Sequence, residues 1–313
     1  MDYFDTVITI TGYEKSQADF DKQSDKILTM LGEYHRLYDI YHRFDGLENL
    51  CTINELVNGT HRTVTVDKRI IDMLLFAKEM YTATNGTVNV AMGSVLYLWH
   101  NYRAIGMDNP SEASLPPMDK LNEAAKHTNI DNIIIDTAAS TVTLADPQMR
   151  LDVGAVAKGY ATECVAKALE NEGVTGYVLN VGGNVRTIGC KADGDKWTVG
   201  IENPDGGDYL AYLSLAGETV VTSGSYQRFY YVDGEAYHHI IDPDTLMPAK
   251  KGFISVSIVC RDSGKADALS TALFCLSQQE GNELIKTMPD VEAIWVTEDG
   301  EKLYSDNWDK YKN

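Results

Sequence analysis

Between residues 177 and 241, six stretches with strand patterning follow one another with no helical stretch between them: 177–181, 197–201, 209–215, 219–222, 229–232 and 237–241. Strands met in such runs, after long helices early in the chain, argue for an α+β fold and against a doubly wound sheet, which needs a crossover helix between neighbours. The helical spacings lie mostly on either side of this run. Residues 16–41 place Phe20, Ile27, Met30 and Leu31 on one face, and residues 67–84 do the same with Ile70, Ile71, Leu74, Leu75 and Ala77. Shorter helices are expected at 118–126, 156–172, 265–276 and 279–287. Further strands are expected at 6–11, 253–259 and 291–296, and a hairpin is expected from 130–135 and 141–144. A breaker-rich loop covers 109–117. No repeat, low-complexity tract or linker divides the 313 residues, so one domain, or two joined subdomains, is expected over 1–313.

The charge narrows the partners. With 27 Lys and Arg against 46 Asp and Glu, the net charge is −19, which disfavours nucleic acid and anionic membranes. No apolar run of about 18 residues spans a bilayer, and the start lacks the basic and apolar regions of a signal peptide. Five scattered cysteines without a Cys-x-x-Cys pair indicate neither a disulfide framework nor a zinc site.

Four stretches could carry chemistry. Leu151 to Ala161 sets Gly154, Lys158 and Gly159 at a loop-to-helix transition, where free N–H groups, the dipole and the lysine charge suit a phosphate. The same glycines also suit plain helix packing, and the stretch is not a Walker A loop. Asn180-Val181-Gly182-Gly183-Asn184 reads either as a strand-end turn or as a close approach of backbone to ligand. Asp267, Ser270 and Thr271 share one helix face and offer hard oxygen donors of the kind Mg²⁺ takes, although such a face is also often merely solvated or a capping arrangement. His238-His239 ends a strand, so at most one imidazole points into any given pocket, and histidine is the natural proton acceptor near neutrality. On so acidic a chain, a polyanionic substrate needs local positive charge, which Lys158 and a divalent cation would supply.

These pieces occur together and in order in one family. With Phe4-Asp5-Thr6, Gly86-Thr87-Val88-Asn89, Leu98-Trp99, Leu179 to Gly183, Thr222 to Tyr226, His238 to Pro243 and Ala266 to Ala272, the sequence resembles the ApbE family of flavin transferases over nearly its whole length. The resemblance implies an ApbE-type fold of mixed or antiparallel sheets with packed helices and an FAD cleft. It implies FAD as substrate, Mg²⁺ as cofactor, and transfer of FMN to a threonine or serine hydroxyl of an acceptor protein with release of AMP. It makes His239 the base. Phe4, Phe44, Thr87, Val88, Asn89, Asp152, Lys158 and Ile241 become flavin-nucleotide contacts, and the metal positions become the carbonyl of Ala155 with Asp267, Ser270 and Thr271. Phe4-Asp5-Thr6 replaces a frequent Met-Gly-Thr, Phe44 a Tyr, Asn89 an Asp, and Ser270 an acid found in some members. The rival expectations are a Mg²⁺-dependent FAD pyrophosphatase and a flavin-binding protein without turnover. By resemblance the location is extracytoplasmic and lipid-anchored, with a cytoplasmic variant open.

Overall fold

The computed structural model describes residues 2–55, 63–204 and 206–312. The chain forms two compact units that interleave in sequence, one from residues 1–35, 156–224 and 251–313, the other from 36–155 and 225–250. Both helices and antiparallel sheets are present, as the α+β expectation requires. No described helix is long and apolar enough to cross a membrane.

The first unit is built on an eight-stranded antiparallel sheet in the order Asp2–Tyr3, Thr6–Gly12, Tyr177–Val181, Asn184–Ile188, Thr219–Gly224, Phe253–Cys260, Glu292–Thr297 and Lys302–Tyr304. Thr6–Gly12 alternates half-buried and exposed positions and pairs with Tyr177–Val181 in the register Thr9 to Asn180. Its neighbour Tyr177–Val181 alternates buried and half-buried positions, and nearer the centre Phe253–Cys260 reads as a nearly continuous buried run. Ile27 and Leu31 of the Gln17–Tyr38 helix meet Val165 and Leu169 of the Ala157–Asn171 helix over Tyr177, Leu179 and Val181. A second core gathers Trp197, Leu213, Leu215 and Trp308.

The two glycines of 180–184 are a hairpin turn. Gly182 and Gly183 both have positive φ, 57° and 83°, the two-residue geometry that matches strand twist, and Asn180 Oδ1 accepts from Gly183 N at 3.0 Å. A Cβ on Gly182 would meet Thr6 Oγ1 at 2.1 Å, so the close approach is to the protein's own first long strand.

The second unit contains the helices Leu50–Asn54, Lys68–Ala83, Gly93–Asp108 and Met118–Ala125. It also has a three-stranded antiparallel sheet, ordered Thr63–Thr65, Thr141–Leu144, Ile133–Asp136, and the hairpin Phe229–Val232 with Glu235–His238. Met92, Val95, Trp99, Leu121, Tyr230, Tyr237, Ile241 and Leu246 form its core. Trp99 Nε1 donates to the Leu246 carbonyl at 2.9 Å, and Gly106 leaves room for the Tyr230 ring, which a Cβ would meet at 2.7 Å. The helix Gly93–Asp108 is one that no apolar periodicity in the sequence announces. The expected strand at 237–241 ends at His238, and 130–132 is a 3-10 turn ahead of its strand.

Candidate active site

In the first unit, the Ala157–Asn171 helix begins at Val156, which offers no side-chain cap. The missing acceptor comes from another helix, Ser263–Cys275. Asp267 Oδ2 accepts from Gly159 N at 2.7 Å, and Oδ1 accepts from Lys158 Nζ at 2.9 Å. A carboxylate thus sits on the positive end of the helix and is paired with a lysine from the same turn. Ser270 Oγ donates to the Asp267 carbonyl at 2.9 Å and lies 2.8 Å from Ser223 Oγ, which is 3.4 Å from Thr271 Oγ1. Lys158, Asp267, Ser270 and Thr271 are therefore brought together, with Ser223 added.

Close helix packing makes this cluster possible. A Cβ on Gly159 would come within 2.3 Å of the Ser263 carbonyl and 2.4 Å of Asp267 Cβ. Gly159→Ala is expected to cost about 1–3 kcal/mol of stability by prising the two helices apart. Chemical denaturation reads this loss, and an unchanged midpoint would contradict the packing. Behind the cluster, Glu163 accepts from Arg186 Nε at 3.0 Å and from Ser263 N at 2.8 Å, fixing the start of the Ser263–Cys275 helix. Phe4 lies elsewhere in this unit. At φ 55° its N–H donates to His35 Nδ1 at 3.3 Å, and its ring meets the His35 ring edge-on.

In the second unit, the loop carrying Asp152 is held from two sides. Asn54 bonds both polar groups of the Leu151 backbone, and Asp152 N donates to the Val90 carbonyl at 2.9 Å. Asp152 Oδ1 accepts from Gly154 N at 2.9 Å, and Oδ2 lies 3.4 Å from His100 Nε2. Burial alone would raise the Asp152 carboxyl, but His100, the Gly154 N–H and the Arg103 charge outweigh it and hold the group below the usual carboxylate range. Arg103 Nη2 donates to His100 Nδ1 at 3.0 Å. Ala155 is the last residue of this unit before the chain passes into the other.

The two histidines divide as their alternation requires. His238 Nε2 donates to the Ala249 carbonyl at 3.0 Å and Nδ1 accepts from Ile240 N at 3.2 Å, so both its nitrogens are spent on backbone. His239 Nδ1 faces the Arg228 carbonyl at 3.2 Å. A carbonyl only accepts, so Nδ1 carries the proton and Nε2 keeps its lone pair. Burial, with the Arg103 and Arg228 charges, pushes His239 down to about 3, and the imidazole is neutral.

A histidine lowered in this way destabilises the fold in acid. The unfolded chain takes up a proton below about 6.5 that the folded one refuses, so the contribution is full above that pH and fades toward about 3. Thermal midpoints taken from about pH 7 down to about pH 4 should fall more steeply for wild type than for His239→Gln. Parallel curves would count against a ring held neutral.

Thr87, Val88 and Asn89 follow a turn in which Asn85 and Gly86 have positive φ. Val88 N donates to Thr84 Oγ1 at 3.1 Å. Asn89 Nδ2 donates to the Thr128 carbonyl at 2.9 Å while its Oδ1 accepts from Ala91 N at 2.9 Å. An aspartate could make only the second bond, which gives this chain a reason for the amide. Phe44 is half-buried under the Arg36 guanidinium, 5.1 Å from its ring centre, and Ile241 pairs with Pro248.

The model of the ApbE family matches residues 4–295. The chain belongs to the ApbE family. It is 30% identical over 280 residues to an FAD:protein FMN transferase of Klebsiella pneumoniae, covering 86% of this chain and 84% of that one. It is also 34% identical over 251 residues to one of Treponema pallidum, covering 75% and 67%. Among solved structures, the ApbE protein of Thermotoga maritima superimposes with a TM-score of 0.84 at 28% identity, over 99% of this chain and 97% of that one. The flavin transferase ApbE of Vibrio cholerae, at 21% identity and a TM-score of 0.80, shares the fold.

Within this ApbE chain, sequence reasoning passed over His100, Arg103, Arg228 and Ser223 as site residues. His100 and Arg103 stand three apart, a helical spacing that would have paired them had the Gly93–Asp108 helix been read. Ser223 lies inside Thr222-Ser223-Gly224, a stretch that carries the family resemblance but assigns the serine no role.

Proposed function

We propose that this chain is an enzyme, a Mg²⁺-dependent FAD:protein FMN transferase that moves FMN from FAD to a threonine or serine hydroxyl of an acceptor protein and releases AMP. The observation that carries the reading is a neutral His239 whose Nε2 lone pair is free while its Nδ1–H is fixed on backbone. A flavin store needs no such base. The names of the relatives in Klebsiella and Treponema support the same activity.

In the reaction, the acceptor oxygen bonds to the phosphorus on the flavin side of FAD, the bond from that phosphorus to the bridging oxygen breaks, and AMP departs with the electron pair. His239 Nε2 takes the hydroxyl proton. Lys158 and the N-terminus of the Ala157–Asn171 helix offset phosphate charge. Asp152 binds the nucleotide, and Phe4, Phe44, Thr87 to Asn89 and Ile241 line the flavin side.

The donors proposed for magnesium fit it chemically. Asp267, Ser270, Thr271 and the Ala155 carbonyl are all oxygen ligands with a single carboxylate, the set for an ion that keeps waters and shares phosphate oxygens. Among the described residues no group of three or more His, Cys, Asp or Glu gathers, so the site is one of low charge. Bound there, Mg²⁺ supplies charge neutralisation at the phosphates.

The rival pyrophosphatase is tested by following AMP from FAD with and without an acceptor domain. AMP that depends on the acceptor supports transfer. AMP with an equal amount of free FMN, at the same rate when no acceptor is present, overturns it.

A further inference from the structure

Arg103 is a cation without an anion. Its guanidinium has five N–H donors and is always charged, yet its one hydrogen-bonding partner among the described residues is the ring of His100, and no described carboxylate lies within ion-pair distance. A half-buried arginine in this condition is costly unless something else supplies the negative charge. Burial lowers the Arg103 pKa; Tyr41 and Asp152 offset part of that, and the neighbouring Arg228 charge adds to it.

His100 explains why the charge stays uncompensated. Since a guanidinium can only donate, His100 Nδ1 is the acceptor, and Nε2 carries the ring proton toward Asp152 Oδ2 at 3.4 Å. The imidazole therefore separates Arg103 from the nearest carboxylate and fixes the direction of the guanidinium. Gly106, one turn after Arg103, packs on the ring of Tyr230, two residues past the Arg228 whose carbonyl accepts from His239 N, and the charges of Arg103 and Arg228 both lower His239. Whatever hydroxyl His239 deprotonates must lie beside the phosphorus it attacks, and Arg103 acts on that same place.

We propose that Arg103 binds the phosphate on the flavin side of the substrate, the group that is transferred, and that His100 is the positioning residue that aims it. The inference rests on the transferase reading for the identity of the phosphate. The net charge of −19 means that no general surface field provides this attraction.

FMN and riboflavin differ by that phosphate alone, so calorimetric titration of the full chain with each isolates it. Wild type is expected to bind FMN more tightly than riboflavin. Arg103→Gln should weaken FMN about ten- to a hundredfold and riboflavin less than about twofold, the scale of a charge-assisted contact. Arg103→Lys, which keeps the charge and loses the fork, should recover part of the FMN affinity and decides the matter if the glutamine variant does not fold. His100→Leu should weaken FMN selectively as well. Equal loss for both ligands, or FMN affinity untouched in the arginine variants, overturns the inference. A wild type that prefers FMN through Arg103 but transfers no flavin leaves the inference standing and sinks the transferase reading. Transfer by wild type with an unaltered FMN preference in Arg103→Gln does the reverse.

Discussion

His239→Ala is expected to lower flavin transfer about 10²–10⁴-fold, the usual contribution of a positioned general base, while FAD affinity changes less than about twofold. The separation follows from how the ring is held. Its Nδ1 is bonded to the backbone of Arg228, and the bases and phosphates of a nucleotide have no need of its Nε2 lone pair. His238→Ala should behave differently, because that ring ties Ala249 to Ile240 and its loss loosens the loop that carries Ile241. Rapid-quench measurement of transfer beside equilibrium FAD titration reads both numbers. Wild-type transfer rates in His239→Ala would remove it as the base.

Asp267 carries more than one duty, and two substitutions separate them. Asp267→Ala removes the cap on Gly159, the partner of Lys158 and the proposed metal carboxylate at once. The expected result is a loss of about 1–2 kcal/mol in stability from the cap, and a fall in turnover of a hundredfold or more, on the order of the several kcal/mol a bound cation supplies. Asp267→Asn retains an oxygen for the Gly159 N–H and lacks the charge. It should recover the cap's share of the stability while losing that of the Lys158 pair, yet turn over as poorly as the alanine variant, and no concentration of Mg²⁺ should restore it. An asparagine variant with the wild-type Mg²⁺ dependence would place the metal elsewhere.

Much of the architecture was legible because its amphipathic patterns are plain. Ile70, Ile71, Leu74 and Ala77 mark one face of Lys68–Ala83, and the expected 67–84 matches it to within a residue at each end. Among the elements that escaped, two show the physical reason. Gly93–Asp108 buries Gly93, Val95, Trp99 and Gly106 and carries Tyr97, His100, Tyr102 and Arg103 around the rest, so no clean apolar stripe exists. Asn184–Ile188 places Asn184, Arg186 and Thr187 in buried positions, Arg186 and Thr187 bonded to Glu163, Glu170 and backbone and Asn184 Oδ1 accepting from Ser263 Oγ, which inverts the pattern that identifies a strand.

The site shows the same division. Lys158, Asp267, Ser270 and Thr271 were readable because their spacing sets them at a helix start or on one helix face, and the structure brings their side chains together. Which histidine of the pair stays free followed from no spacing rule. It depends on the Ala249 and Arg228 carbonyls, which only the folded backbone sets in place. Arg103 was invisible because what distinguishes it is the lack of a carboxylate beside it, a property of three dimensions.

As a flavin transferase, the role proposed for it, this chain joins FMN to another protein. The measurement that meets it most directly is the intact mass of a candidate acceptor domain after incubation with the protein, FAD and Mg²⁺, with AMP quantified in the same tube. The expected result is a gain of one FMN less one water on a threonine or serine, matched mole for mole by AMP. An acceptor of unchanged mass beside AMP and free FMN in equal amounts would contradict it.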